Sequence, residues 1–352
     1  MVMARQRVAV IFGGKSGEHE VSVVSARSVM NALDRDRWEV VPLGISKAGA
    51  WLTPGETRSA LDAGAVALDG GSPVLKAPDA LSALATCDVA FPLVHGKNGE
   101  DGTLQGFLEI AGTPYAGAGV AASAIGMDKA LMKALFREAG IPVARYSVIR
   151  SWEYTLAQND SMALIDRAIG YPCFIKPANG GSSVGVTRVR SREDLPDAFA
   201  AAFAYDDKAV VEQAVPGREL ECSVIGNEQP EAAPVVGEVV PDRDFYDYNS
   251  KYDPGSRTQL YIPAPVTEGI AREVRELAVR MYQVMGCEGY ARVDFFLTTG
   301  DRVIANEVNT IPGFTSISMY PKLWEASGLP YPELLSRILE LALARHQRRS
   351  RT

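Results

Sequence analysis

The chain has 352 residues, 47% of them hydrophobic and 22% charged, a composition that fits a globular protein with room for two or three domains. A formal net charge of −7 argues against a nucleic-acid surface, and no apolar run approaches the length of a bilayer span or a signal peptide. Three histidines, none at metal-ligand spacing, argue against a zinc enzyme, and four well-separated cysteines with no C-x-x-C read as buried thiols of a cytoplasmic protein.

From Arg7 to about Val120 short apolar strands alternate with helices: RVAVIFGG, a helix near VSVVSARSVMNAL, then WEVVPLGIS, DVAFPLVHG and TPYAGAG. That order predicts a parallel α/β sheet. The stretch from Thr53 to Leu84 is rich in Ala, Gly and Pro and reads poorly. One helix is expected over SAIGMDKALMKALFREAG, closed by Gly140 with Pro142 beyond. Next come two strands around a Gly/Ser loop, YPCFIKPANGGSSVGVTRV, a helix SREDLPDAFAAAFAY and the strand KAVVEQAV. After Gly217 the strands look antiparallel (ELECSVIG, AAPVVGEVV), and from Asp242 to Pro263 the density of Tyr, Asp, Ser and Gly predicts an irregular, mobile lid. A helix EGIAREVRELAVRMYQVMG, a hairpin and a last helix PELLSRILELALARH complete the chain, and the basic ending RHQRRSRT reads as a solvated tail. The expected domains are 1–125, 126–216 and 217–352.

Within the hairpin GYARVDFFLTTGDRVIANEVNTIPGFTS, a two-residue turn at Gly300-Asp301 pairs Thr299 with Arg302. Asp294 then stands opposite Glu307, and Arg292 opposite Asn309. Two carboxylates about 4 Å apart repel by roughly 4 kcal/mol at an effective dielectric of about 20, a cost that a hard divalent cation would remove. Solvated charges on an exposed hairpin face are the alternative. In FIKPANGGSSVGV, glycines and two serines offer N–H groups and hydroxyls to a phosphate, with Lys176 entering the loop and Lys129 upstream; a flexible hairpin tip is equally compatible. GGKSGE fails as a P-loop because Ala9 stands where glycine is needed, and GAGVAA lacks the acidic strand end of a dinucleotide site. Glu18 and Glu20 open a helix after the first strand, where Glu20 suits capping. His95 ends another strand of the same sheet, so Glu18 and His95 can face one pocket.

Taken in series, HGKNGEDGTLQG, MDKALMK, FIKPANGGSSVGV, FYDYNSKY, ARVDFF and NEVNTIPGFTSISMYPK resemble the D-alanine-D-alanine ligases of the ATP-grasp superfamily. The resemblance covers nearly the whole chain apart from the Ala/Gly-rich stretch before Thr86, and implies a three-domain α/β and α+β ATP-grasp fold with an N-terminal parallel-sheet domain. It implies ATP and two Mg²⁺ ions, with Mn²⁺ as a substitute, two D-alanines as substrates, a role in peptidoglycan synthesis and a homodimer. By resemblance Lys129, Lys176, Ser182 and Ser183 meet the phosphates, Glu212 and Glu219 the adenine and ribose, and Asp294, Glu307 and Asn309 the metal ions. Arg292 and a backbone N–H near Gly313 would hold the oxyanion. Glu18 would take the first ammonium with His95 near its carboxylate, and Lys251 and Ser318 the second carboxylate. Ser182 and Tyr252 would link Glu18 to the closing loop.

The chain departs from the resemblance at Asn179 and Gly180, where relatives often carry a charged pair, so ion pairing through that place is in question. FYDYNSKY favours a second D-alanine over D-lactate. Competing expectations are a D-alanyl-D-lactate or D-alanyl-D-serine ligase of the same fold and an ATP-binding regulatory protein without turnover.

Overall fold

Strand β1 (Gln6–Gly13) is buried from Val8 onward because it is the middle of a parallel sheet of order β2–β1–β3, with β2 at Trp38–Ile45 and β3 at Val89–Pro92. A strand covered on both faces reads as a continuous apolar run, as VAVIF does. The computed structural model describes residues 5–241 and 258–351. Helices α1 (His19–Ala32), α2 (Pro54–Asp62), α3 (Pro78–Ala85) and α4 (Thr103–Ile110) belong to this first unit. The stretch after Thr53 thus holds two α-helices joined by irregular backbone. Its start is a capping box, in which Thr53 Oγ1 accepts from Glu56 N at 3.2 Å and Glu56 Oε2 accepts from Thr53 N at 2.8 Å. TPYAGAG joins the sheet only through a bridge from Tyr115 to Ala90.

The single helix expected over SAIGMDKALMKALFREAG is two. Asp128 ends α5 (Val120–Met127) and caps α6 (Lys129–Glu138), its Oδ1 accepting from Ala130 N at 3.0 Å and Leu131 N at 3.1 Å. An aspartate satisfies orphan N–H groups better at a helix start than in a helix interior, and the break puts Lys129 on the first residue of α6.

A second sheet, all antiparallel, has the order β4–β7–β5–β6: β4 Tyr146–Arg150, β5 Cys173–Pro177, β6 Thr187–Val189 and β7 Lys208–Gln213. Helices α7 (Ser151–Leu156), α8 (Gln158–Ala168) and α9 (Leu195–Phe203) accompany it, and Ile165, Phe199 and Ala202 meet Ile175 and Val211 in a core of its own. The third sheet runs β11–β10–β8–β12–β13, with β9 (Glu231–Ala232) on β8 (Gly217–Gly226), β10 at Gly237–Val240, β12 at Gly289–Thr298 and β13 at Val303–Asn309. Strand β11 (Gln259–Tyr261) lies within the segment read as an irregular lid. Residues 259–261 are therefore corrected: Leu260 packs on the core between two outward neighbours, which is a strand pattern. Residues 242–257 of that segment lie outside the described residues.

Helix α10 (Glu268–Val284) buries Val274, Ala278, Met281 and Tyr282, one stripe at helical spacing, under the third sheet. Helices α11 (Met319–Ala326) and α12 (Tyr331–Arg349) follow. Leu334, Leu335, Ile338 and Leu339 of α12 share a core with Val8, Val10 and Phe12 of β1, so the first and third sheets lean on common side chains. Phe91, Tyr290, Phe314 and Tyr320 pack there edge-on or tilted, with centroids 5.5–6.0 Å apart. The solvated tail is also corrected. The helix continues through the basic run, where Arg345, only 3% exposed, donates to Tyr115 O and Gly117 O, and Arg349 pairs with Glu288 at 2.8 Å. The carbonyl groups of the Tyr115 loop need donors, and a guanidinium supplies several.

Candidate active site

The carboxyl ends of β1 and β3 lie side by side, and the loops leaving them bring Glu18 and His95 to one wall of a cavity of about 490 Å³. Glu18 occupies the N-cap position of α1 without capping it. Its carboxylate instead accepts from Ser182 Oγ across the cavity. Glu20 pairs with Lys47 on the surface. His95 is buried, with Nδ1 3.0 Å from Ile311 O, and burial lowers its pKa against the pull of Glu18.

Opposite stand the two lysines. Lys176 leaves β5 toward the loop 180–184, and Lys129 Nζ donates to Gly180 O within that loop. Burial lowers the Lys129 pKa. Ser182 and Ser183 hold φ of 48° and 60°, a left-handed turn that costs each of them about 1 kcal/mol and aims successive N–H groups one way. A Cβ at Gly181 would stand 2.9 Å from Glu18 Oε2, so the bare glycine backbone lets the loop approach that carboxylate without displacing it. At the place of the charged pair, Asn179 N and Nδ2 donate to Asp206 Oδ2 at 2.7 and 2.9 Å, so the loop base is tied without a basic residue.

The hairpin β12–β13 has the register read from the sequence at its polar positions, Asp294 opposite Glu307 and Arg292 opposite Asn309, but by a different route. The turn spans three residues: Thr298 N donates to Arg302 O, Asp301 N to Thr298 O, and Asp301 takes a left-handed φ of 57°. That slip is undone by a bulge at Asn306, since Phe295 pairs with Ala305 while Asp294 pairs with Glu307. The expected two-residue turn is therefore corrected.

The charge on this face is balanced by Arg292. Its Nε and Nη2 donate to the Asp294 carboxylate at 2.8 and 2.7 Å, Nε lies 3.0 Å from Glu221, and Asn309 Nδ2 donates to Asp294 at 2.9 Å. Burial works against charge on the guanidinium, but Asp294 and then Glu221 hold its pKa well above the ordinary value. Among the described residues no three His, Cys, Asp or Glu are gathered as a ready metal cage. Gly313 and Ser318 border the same cavity, whereas Lys251 and Tyr252 lie outside the described residues. Glu219 borders it as well. Glu212 does not: it is 2% exposed, and its carboxylate accepts from Lys133 and, at 2.6 Å, from Lys176.

A protein-family model described as D-ala D-ala ligase N-terminus matches residues 7–118, and one described as D-ala D-ala ligase C-terminus matches residues 135–340. The chain belongs to the D-alanine–D-alanine ligase family. The D-alanine–D-alanine ligase of Geobacillus kaustophilus (strain HTA426) is 46% identical, with 97% of this chain and 96% of that protein covered. Among solved structures, the D-alanine-D-alanine ligase from Coxiella burnetii superposes with a TM-score of 0.82 at 35% identity, over 99% of this chain and 98% of that one. The VanG D-Ala:D-Ser ligase from Enterococcus faecalis gives 0.82 at 32% identity, over 96% and 100%. The fold is accordingly the ATP-grasp ligase architecture with a parallel-sheet N-terminal part.

In this ligase-family cavity three charged residues went unread in the sequence. Glu221 repeats Glu219 at the period of a strand, which places both on one face of β8 beside Asp294. Lys133 follows Lys129 by one helical turn, yet it is 1% exposed and reaches Glu212 beneath the cavity floor. Glu100 lies in the quoted HGKNGEDG loop; Gly96 N donates to it at 2.6 Å, and burial, then the negative charge of Glu18, pushes its pKa up to about 8. No local pattern marks Lys133 as buried or Glu100 as a cavity residue.

Proposed function

We propose that the chain joins two D-alanines into D-alanyl-D-alanine at the expense of ATP, for peptidoglycan synthesis. Family membership supports an ATP-dependent ligase. The observation that carries the reading is the common cavity, where Glu18 and His95 of the first sheet, Lys176 and the loop 180–184 of the second, and Arg292, Asp294 and Glu307 of the third converge. In the proposed course a carboxylate oxygen of the first D-alanine attacks the terminal phosphorus of ATP, and ADP leaves. The amine of the second D-alanine then attacks the acyl phosphate carbon, and inorganic phosphate departs with the bonding pair.

Lys129, Lys176, Ser182 and Ser183 would hold the phosphates by charge and hydrogen bonds, since phosphoryl transfer needs positioning and neutralisation more than covalent help. Glu219 would face the nucleotide ribose, and Glu212 would act from beneath by holding Lys176. Asp294, Glu307 and Asn309, a hard oxygen donor set, would hold magnesium or manganese, which when bound neutralises charge on the transferred group. Arg292, with a backbone N–H near Gly313, would stabilise the developing oxyanion. Glu18 would take the first ammonium beside His95, and Ser318 with Lys251 the second carboxylate. Tyr252 would join the Glu18–Ser182 link. We also propose the domain limits 1–125, 126–216 and 217–352, supported by the three sheets falling one in each, a homodimer, and a cytoplasmic site of action. Among the described residues no helix is long and apolar enough to cross a membrane.

Similarity to a D-Ala:D-Ser ligase favours a second reading in which D-serine is the second substrate. The test incubates the purified chain with ATP, Mg²⁺ and D-alanine, alone and with D-serine or D-lactate, and identifies products by mass. D-Alanyl-D-alanine as the main product in every mixture is expected. A predominantly mixed product would overturn the second-substrate assignment, and absence of D-alanine-dependent phosphate release would leave a nucleotide-binding regulator.

A further inference from the structure

Ser318 stands at the N-cap of α11, where a serine hydroxyl ordinarily accepts from the first N–H groups of its own helix, yet it makes no such bond. It turns back on Thr315 instead. Thr315 N donates to Ser318 Oγ at 3.0 Å, the two hydroxyl oxygens lie 2.8 Å apart, and Ser318 N donates to Thr315 O at 3.1 Å. On the other side a Cβ at Gly313 would stand 2.7 Å from Ser318 Oγ, so the hydroxyl is seated against bare backbone. Thr315 is 8% exposed, and both side chains border the cavity.

A hydroxyl has one proton and two lone pairs. The Thr315 N–H fills one lone pair of Ser318 Oγ. When Thr315 Oγ1–H fills the other, the Ser318 proton has no acceptor within this turn and is directed to the cavity. The opposite polarity would turn the Ser318 proton toward Thr315. A carboxylate in the cavity is an acceptor only, and therefore selects the first arrangement. We propose that Thr315 is a positioning residue that acts through Ser318, fixing its hydroxyl as a donor to the carboxylate of the second amino acid. This rests on the reading above that Ser318 meets that carboxylate.

The test measures kcat, the KM of the second D-alanine and the KM of ATP for Thr315→Val, Thr315→Ser, Ser318→Ala and the double variant Thr315→Val/Ser318→Ala, with thermal unfolding of each. Thr315→Val keeps the shape and the backbone N–H but loses the hydroxyl donor. It is expected to raise the KM of the second D-alanine by roughly five- to tenfold, the worth of one hydrogen bond, with the KM of ATP and the melting temperature unchanged. Thr315→Ser should match the parent, and the double variant should be no worse than Ser318→Ala alone. A parental KM for Thr315→Val beside a raised KM for Ser318→Ala would overturn the role of Thr315 and leave that of Ser318 standing. An unchanged KM in Ser318→Ala would remove the underlying reading itself. Should Thr315→Val unfold, Thr315→Ala removes the same donor with less bulk, and equal rises in both KM values would reduce Thr315 to a structural residue.

Discussion

Glu212 offers the sharpest quantitative test. Its carboxylate lies between Lys133 and Lys176, all three charges largely out of water. Burial alone would raise the pKa of Glu212, but Lys133 and then Lys176 outweigh it and hold it down at about 2, against an ordinary 4.5. A depressed carboxyl contributes stability that is present above the ordinary value and is lost as the pH falls through the folded one. The span from 4.5 to about 2, at about 1.36 kcal/mol for each pH unit, corresponds to about 3 kcal/mol, in line with the cost of breaking a buried ion pair. Glu212→Gln should therefore lower the unfolding free energy by about 3 kcal/mol at pH 7, read from urea titrations followed by circular dichroism. The gap should hold constant down to about pH 5 and narrow below it. Lys176 retains access to the cavity, whereas Lys133 is stranded, so adding Lys133→Met should recover part of the loss. A gap under about 1 kcal/mol at neutral pH, or one that widens on acidification, would refute the assignment of the triad as a net stabilising ion cluster.

Glu307→Gln should abolish turnover and leave the fold intact, because one charge is lost and the shape is kept; near-parental product formation at saturating Mg²⁺ would contradict the metal assignment. Glu100, with its pKa at about 8, keeps in the folded chain a proton that the unfolded chain releases near 4.5, so its contribution is most favourable below that value and is lost as pH rises to about 8. Glu100→Gln should accordingly flatten the fall in melting temperature between pH 5 and pH 8 by roughly 5 °C, and a parental slope would count against a protonated Glu100. An amine must lose its proton to attack, so dipeptide yield should rise from neutral pH to about pH 9; a flat or falling yield would exclude amine deprotonation as a limiting factor.

The hairpin shows what local sequence decides and what it does not. Alternation along a strand is a property of each residue and its neighbours, so Arg292 with Asp294, and Glu307 with Asn309, are bound to share faces whatever the strand packs against. The cross-strand partner depends on backbone geometry. A loop one residue longer than expected and a bulge at Asn306 cancel, and the register at the polar positions is restored. Likewise the glycine-serine loop, Lys129, Lys176 and His95 in the loop just after β3 are legible because each chemistry is written in a few contiguous residues.

Other features were decided by the tertiary structure alone. Arg345 reads as part of a charged tail until α12 lays it against the carbonyls of Tyr115 and Gly117. Lys133 and Glu212 are 79 residues apart, and their pairing exists only because α6 crosses β7. Thr315 and Ser318 are near in sequence, but which way a hydroxyl turns is set by the backbone around it. By itself the sequence determined which side chains share a strand face and which loops can approach an anion, since these follow from local periodicity and from glycine. Which charges are buried, and against what, required the packing of distant elements, because the free energy of a charge depends on everything that excludes water from it.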